Sequence, residues 1–240
     1  MFFDLHARGL LDGRGARLAD VNPDLVGCYR TVRDRSDAVI AALSRLQATH
    51  RARGDAFYYE VRDQRFNPAR ALMQQTPAAT AADRYTPALA AMLIFLNRTG
   101  FNGLFRLNRD GAFNVPVGRY AAPRICDPEH IRMVATAFGS RQVAIDCAPF
   151  EDVLAGAGTG DFVYCDPPYA PLSRTADKIS DSVSPLMRGP SRTIGQDSRR
   201  SDHSLRRRAG PYVPCEHQTR LHSFLQPRKK GFGSYAAENP

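Results

Sequence analysis

Apolar positions recur three and four residues apart through Ser36–His50 (SDAVIAALSRLQATH), and that period predicts a helix. A second helix is expected over roughly 86–98, and a third over Pro128–Phe138 (PEHIRMVATAF). A shorter one opens at Pro23 and runs to about Arg30, because proline suits the first helical position and Asn22 can cap it. Short runs of β-branched and aromatic residues predict strands at 16–22 (ARLADVN), 142–146 (QVAID) and 161–165 (DFVYC). The last of these reads as a buried strand, introduced by a turn at glycines 156, 158 and 160. Between Leu104 and Val117 the pattern predicts a hairpin, with Asp110-Gly111 at its turn. Strand–helix alternation on either side of a helix-rich middle fits an α/β domain interrupted by an insert.

The strand expected at 161–165 stops at Asp166-Pro167-Pro168-Tyr169. Two prolines remove two backbone donors and fix two φ angles, so a ladder cannot continue through them. One reading is a strand-ending turn that happens to contain an acid. The other is chemical. Ligands of open α/β sheets bind beyond the carboxyl ends of the strands, where methyl transfer to an exocyclic base amine would use all four positions. The Asp166 carboxylate and the Pro167 carbonyl can hold both amine hydrogens and favour a more tetrahedral nitrogen in the transition state. The Tyr169 ring can hold a base that has left its duplex.

Taken with an upstream block, Phe95–Tyr120 (FLNRTGFNGLFRLNRDGAFNVPVGRY), the run DPPYAPLS resembles the Dam-type DNA adenine-N6 methyltransferases. The resemblance covers about residues 2–177 and rests on the long block, since the four-residue motif also occurs in other amino-methyltransferases. It implies a Rossmann-like S-adenosylmethionine-dependent methyltransferase sheet, incomplete here, with a mainly helical DNA-recognition insert. The expected division is 1–38 and 127–177 for the methyltransferase part, 39–126 for the insert, and 178–240 for a basic tail. By the same resemblance Asp166, Pro167, Pro168 and Tyr169 are catalytic, and Asp20, Phe150 and Asp166 bind S-adenosylmethionine. Phe101, Asn102, Arg106 and Arg119 contact double-stranded DNA, often at GATC in this family. No metal is expected.

Several of these positions have a second reading. Asp20 can accept from ribose hydroxyls, or it can merely favour the positive end of the following helix. Phe150 can face the cofactor adenine or sit in the core, and Pro149 stands where the family often places an acid. Phe101 can wedge between bases or close the helix end as a core aromatic. Arg106 and Arg119 can pair with guanine or phosphate, or be solvated surface charges.

Charge alters the picture less than the formal net +9 suggests. Residues 178–240 hold twelve of the 33 Lys and Arg, all three lysines among them, against five of the 24 Asp and Glu. The remainder is nearly balanced, so net charge is weak support for nucleic-acid binding. That same stretch has only ten Ile, Leu, Val or Phe in 63 residues, a composition poor in core-forming side chains. It reads as a disordered basic tail or as an out-of-frame continuation, because the family's F-T-x-Y-like segment is lost where the composition changes. At the other end the family's F-x-G-x-G cofactor turn would precede Met1, which predicts a truncated N-terminus and, as an alternative function, an inactive remnant with at most weak DNA binding. An RNA or protein amino-methyltransferase would share the four-residue motif but not the long block.

Five cysteines without a Cys-x-x-Cys pair read as free thiols, not as a disulfide framework or zinc site. His6, His50 and His130 lack metal-ligand spacing. Gly156–Gly160 precedes a strand and not a helix, so it is a turn and not a phosphate loop. Without a membrane-length apolar run or a signal-peptide pattern, a cytoplasmic protein with no obligate protein partner is expected.

Overall fold

The structure, a computed structural model, describes residues 1–140, 142–165 and 219–220. A short helix, α1 (Phe2–Ala7), turns Phe2 inward against Phe138, the two rings stacked at 5.9 Å. The strand β1 (Ala16–Asp20) is followed at once by α2 (Pro23–Arg53), with Pro23 at its first position and the Asn22 side chain accepting from the Asp24 N–H at 3.0 Å. The two helices expected at 23–30 and 36–50 are thus one element, broken only at Arg35 (φ −141°, ψ 39°). Leu25, Val26, Cys28 and Val32 before the break and Val39, Ile40 and Leu43 after it are all buried, so both halves bury a helical face.

Next come α3 (Asp55–Glu60), a π-helical turn at Val61–Phe66, α4 (Asn67–Met73) and α5 (Ala78–Asp83). The interior is then filled by α6 (Pro87–Thr99), whose Leu89–Asn97 run is apolar nearly all round and buried apart from Met92. A helix of that kind has no solvent face and must be covered; here α2 covers one side and the π-helical turn another. Thr86 caps it by accepting from the Leu89 N–H.

Beyond a 3-10 turn at Phe101–Gly103, β2 (Leu104–Phe105) begins a loop that returns through two isolated antiparallel pairings, Leu107 with Phe113 and Gly100 with Val117. The expected hairpin is therefore a side-chain-braced loop and not two regular strands. α7 (Pro128–Phe138), capped by Asp127, buries Ile131, Val134 and Phe138. β3 (Val143–Cys147) lies parallel to β1, with Ala16 opposite Val143 and Asp20 opposite Cys147. α8 (Phe150–Ala155) follows, and β4 (Thr219–Arg220) pairs antiparallel with β2. The result is a mixed helix and strand fold with a small parallel sheet.

One expectation is overturned. Residues 161–165 form no strand, and Phe162 is 76% exposed. β propensity is realised only against a ladder partner and a covering layer, and among the described residues neither edge of the β1–β3 pair takes this segment up. Asp166, Pro167, Pro168 and Tyr169 lie outside the described residues.

Candidate active-site edge and recognition loop

Parallel pairing of β1 with β3 sets Asp20 beside Cys147 at the carboxyl end of both strands. The Ala148 N–H donates to the Asp20 carbonyl at 3.2 Å, carrying the connection to Pro149 and Phe150 off the same edge. Asp20 and Phe150, 130 residues apart in sequence, are brought to one rim. The Asp20 carboxylate is half-buried and accepts from the Asn22 N–H at 2.8 Å. Phe150 is 46% exposed, so it is not a core residue. Burial, with the Asp20 charge contributing, pushes the nearby Cys147 thiol above its ordinary value, so it is not primed as a thiolate.

Farther along β3, Arg30 donates from Nε to the Ile145 carbonyl at 2.8 Å and pairs with Asp83, while Arg17 binds Asp146 at 2.7 Å. Of these charges Arg30, Asp83 and Asp146 line a cleft of about 580 Å³ between α2, α5 and β3. They are partnered with one another, and neither Asp20 nor Phe150 lines it.

The second site is the loop from Gly100 to Tyr120. It is positioned from the end of α6, where the buried Asn97 donates from Nδ2 to the Gly103 carbonyl. The return strand is stitched alongside: Phe101 N–H donates to the Pro116 carbonyl at 2.8 Å and Gly118 N–H to the Thr99 carbonyl at 2.7 Å. Phe101, Asn102 and Arg119 thereby share one exposed region, with Tyr120 beside them. Phe101 is 47% exposed, which removes its core reading. Asn102 adopts φ 53°, a left-handed conformation that asparagine tolerates better than most residues and that often marks functional turns. Glycine keeps residue 118 close to its neighbours: a Cβ there would stand 2.3 Å from the exposed Tyr120 ring, which would have to swing aside, and 3.0 Å from the Gly100 carbonyl.

Arg106 sits deeper, half-buried. Its Nε donates to the Asn114 Oδ1 at 2.8 Å and its Nη2 to the Asn114 carbonyl at 3.3 Å, which leaves Nη1 at the far end of a fixed guanidinium. The tip of the loop is organised by Asn108, whose side chain accepts from the N–H groups of Asp110 and Ala112, and Gly111 turns at φ 76°. Phe105, Phe113 and Val115 anchor the inner side in the core.

Sequence reasoning missed the groups that hold this loop. Asn67 makes two bonds with Phe113, one from each side-chain amide atom. The buried Tyr58 hydroxyl donates to the Val115 carbonyl at 2.9 Å, as does Arg62 Nη1 at 3.0 Å. Burial pushes the Tyr58 hydroxyl well above its ordinary value, so it stays a donor. Arg70, in α4, donates from Nε to Asp24 at 2.7 Å and from Nη1 to the Gly111 carbonyl. Asp24 is fully buried; burial pushes its carboxyl upward, opposed by Arg70 and by the Tyr85 hydroxyl. Only the polar residues Asn97 and Thr99 at the end of an apolar helix gave any hint of such anchoring.

Among the described residues no group of His, Cys, Asp and Glu is arranged to hold a metal ion, and no helix is long and apolar enough to cross a membrane. Cys28, Cys126, Cys147 and Cys165 are free thiols.

The D12 class N6 adenine-specific DNA methyltransferase family matches residues 3–183, a span that includes the parallel pair, the loop and the Asp166–Tyr169 motif. Among individual proteins, the chain is 36% identical over 167 residues to the Type II methyltransferase M.MjaIII of Methanocaldococcus jannaschii, covering 68% of this chain and 53% of that protein. It is 38% identical over 160 residues to the DNA adenine methylase of Serratia marcescens, covering 67% and 52%. The DNA adenine methylase of Escherichia coli is 36% identical over the same length, covering 67% and 51%. The chain spans about half the length of the curated relatives it matches. A family match across three quarters of the sequence decides the question that the motif and the long block raised: the chain belongs to the D12 class N6 adenine-specific DNA methyltransferases.

Proposed function

We propose that this chain carries the cofactor edge, catalytic motif and recognition loop of a site-specific DNA methyltransferase that methylates the N6 amine of an adenine turned out of its duplex. S-adenosylmethionine, when bound, supplies an electrophilic methyl group. The residues at the β1–β3 rim fit that group: a half-buried carboxylate at Asp20 for ribose hydroxyls, and an exposed ring at Phe150 for an adenine face. The observation that carries the reading is this convergence of Asp20 and Phe150 at the carboxyl edge of a parallel pair, in a chain of this family. It supports a Rossmann-like sheet, of which β1 and β3 are two strands, in keeping with the rule that such sheets bind ligands at that edge.

In the proposed division of labour, residues 1–38 and 127–177 form the methyltransferase part and 39–126 the recognition insert. Asp166 and the Pro167 carbonyl accept the two amine hydrogens of the target base, which orients the nitrogen lone pair for attack, and Tyr169 holds the extruded ring. The amine nitrogen loses its extra proton to water after the new bond forms. On the DNA side Phe101 fills the gap in the base stack, Asn102 and Arg119 contact base edge or phosphate, and Arg106 offers its outer guanidinium nitrogen to a guanine. GATC is the proposed target.

The test is to incubate the full chain with methyl-labelled S-adenosylmethionine and a short GATC duplex, then digest the DNA and identify the labelled nucleoside. Label in N6-methyladenine, absent from a duplex carrying GTTC and abolished by Asp166→Ala, is the expected outcome. Label in cytosine, in RNA only, or in both duplexes alike would refute the assignment.

A further inference from the structure

A continuous run of hydrogen bonds joins the proposed cofactor rim to the tip of the recognition loop. Asp20 Oδ1 accepts from the Asn22 N–H, and Asn22 Oδ1 accepts from the Asp24 N–H. Asp24 Oδ2 then accepts from Arg70 Nε at 2.7 Å and from Gln74 Nε2 at 3.2 Å. Arg70 Nη1 donates to the Gly111 carbonyl at the turn of the loop, and the Gly111 N–H donates to Asn108 at 3.0 Å. Lower in the same loop, and outside that run, Asn114 N–H donates to the Arg106 carbonyl at 3.1 Å and the Arg106 side chain grips Asn114 in return.

The middle of this run is the buried Asp24–Arg70 pair. Asp24 is fully buried and Arg70 is 5% exposed. Removing a charge pair from water costs several kcal/mol per ion, so a pair that serves stability alone is often replaceable by apolar side chains. Arg70 does more than neutralise Asp24. Its planar fork points one nitrogen at α2 and another at the loop, a geometry that lysine cannot reproduce. A cleft of about 240 Å³ separates α4 from the loop tip beside this contact, lined by Gln74, Gln75 and Asp110 among others, so packing alone does not fix the distance that Arg70 spans. Asn67 holds the loop independently at Phe113, farther from the tip.

We infer that Arg70 is a positioning residue that joins the first turn of α2 to the loop tip at Gly111, so that occupancy of the cofactor rim and engagement of duplex DNA strengthen one another. The inference rests on the function proposed above. Anything that orders the Asp20–Asp24 turn also orders Arg70 and the carbonyl it holds, and by linkage the effect is reciprocal.

The experiment measures binding of S-adenosylhomocysteine with and without a short GATC duplex, and of the duplex with and without S-adenosylhomocysteine, using the full chain. For the wild type each ligand is expected to tighten the other on the order of tenfold. In Arg70→Lys, which keeps a positive charge beside Asp24 but loses the grip on the loop tip, S-adenosylhomocysteine alone binds within about twofold of wild type, the duplex alone binds more weakly, and the mutual tightening disappears. A merely structural role would instead weaken both single affinities and leave the ratio intact. Should Arg70→Lys fail to fold, the double variant Asp24→Leu, Arg70→Met replaces the buried pair with apolar volume, and the same loss of mutual tightening is expected. Tightening that persists in either folded variant overturns the inference. So does a wild type that binds both ligands without any mutual effect, in which case the functional assignment survives. A wild type that binds neither ligand overturns the assignment and the inference together.

Discussion

Around the recognition loop, backbone carbonyls are met by donors from the interior: Tyr58 and Arg62 at Val115, Asn67 at Phe113, Asn97 at Gly103, Arg70 at Gly111. At the β1–β3 pair the side-chain bonds lie nearer solvent, with Arg17 bridging to Asp146 across the strands and Arg30 reaching Ile145 and Asp83. The loop has little regular secondary structure, yet it is tied at many points to a covered core. The sheet is regular, yet β1 has no fully buried residue and β3 has only Ile145. The difference teaches that regularity is a poor guide to rigidity here. A loop with the role proposed for this one has to hold its polar groups in place before DNA arrives, and buried side-chain anchors can do so where a ladder is lacking.

The largest effect is expected from cutting the buried pair that serves the loop. Arg70→Met leaves the Asp24 carboxyl buried without its cation, and the loss of folding stability is expected to be about 3–5 kcal/mol, read from the shift in urea midpoint. A loss under about 1 kcal/mol would mean that the pair is effectively solvated and that the contrast between loop and sheet is overstated. Next is Gly118→Ala. The added methyl pushes the exposed Tyr120 ring aside and presses on the Gly100 carbonyl, and the cost is expected at the low end for overpacking, about 1 kcal/mol. Because it displaces Tyr120 and the Gly100–Val117 pairing together, duplex affinity is expected to fall further than stability alone explains.

How much of this was legible beforehand follows from the range of the interactions. The helix at 128–138 and the strand at 143–147 are written in local periodicity and caps such as Asp127, and both were predicted within a residue or two. Joining 23–30 to 36–50 as one helix was not legible. Nothing in Asp34-Arg35-Ser36 announces that a single distorted residue suffices, because burial of Val32 and Val39 on either side decides it. Arg70 looked like any other arginine, since its partners Asp24 and Gly111 lie 46 residues before and 41 after it. The strand expected at 161–165 failed for the opposite reason: its composition was right, but composition cannot supply a neighbouring strand. Asp20 and Phe150 were named from resemblance, and their meeting at one rim is a consequence of parallel pairing that no local pattern contains.

Arg106→Lys sharpens the comparison on the functional side. Asn114 fixes one edge of the guanidinium, and lysine has neither that edge nor a second nitrogen to present. Discrimination between GATC and a duplex altered at one G·C pair is expected to shrink by about 1–3 kcal/mol, with binding to unrelated DNA little changed. Equal loss on all sequences would mark Arg106 as a phosphate contact.

The smallest effect is expected at the sheet, with Arg17→Gln. This arginine bridges β1 to β3 through Asp146, and both side chains are more than a third exposed. Water screens the attraction, and holding a long side chain in one rotamer costs entropy, so the expected loss is under about 1 kcal/mol. Glutamine retains a donor of shorter reach, which reduces the effect further. Amide exchange gives a parallel measure: β1 and β3 amides are expected to exchange faster than those of α6, because strands with few covered contacts open without global unfolding. If Arg17→Gln instead cost as much as Arg70→Met, and β1 amides were protected as strongly as those of α6, the sheet would be as firmly locked as the loop. The coupling assigned to Arg70 would then join two rigid bodies, leaving no marginal element for a ligand at the rim to order.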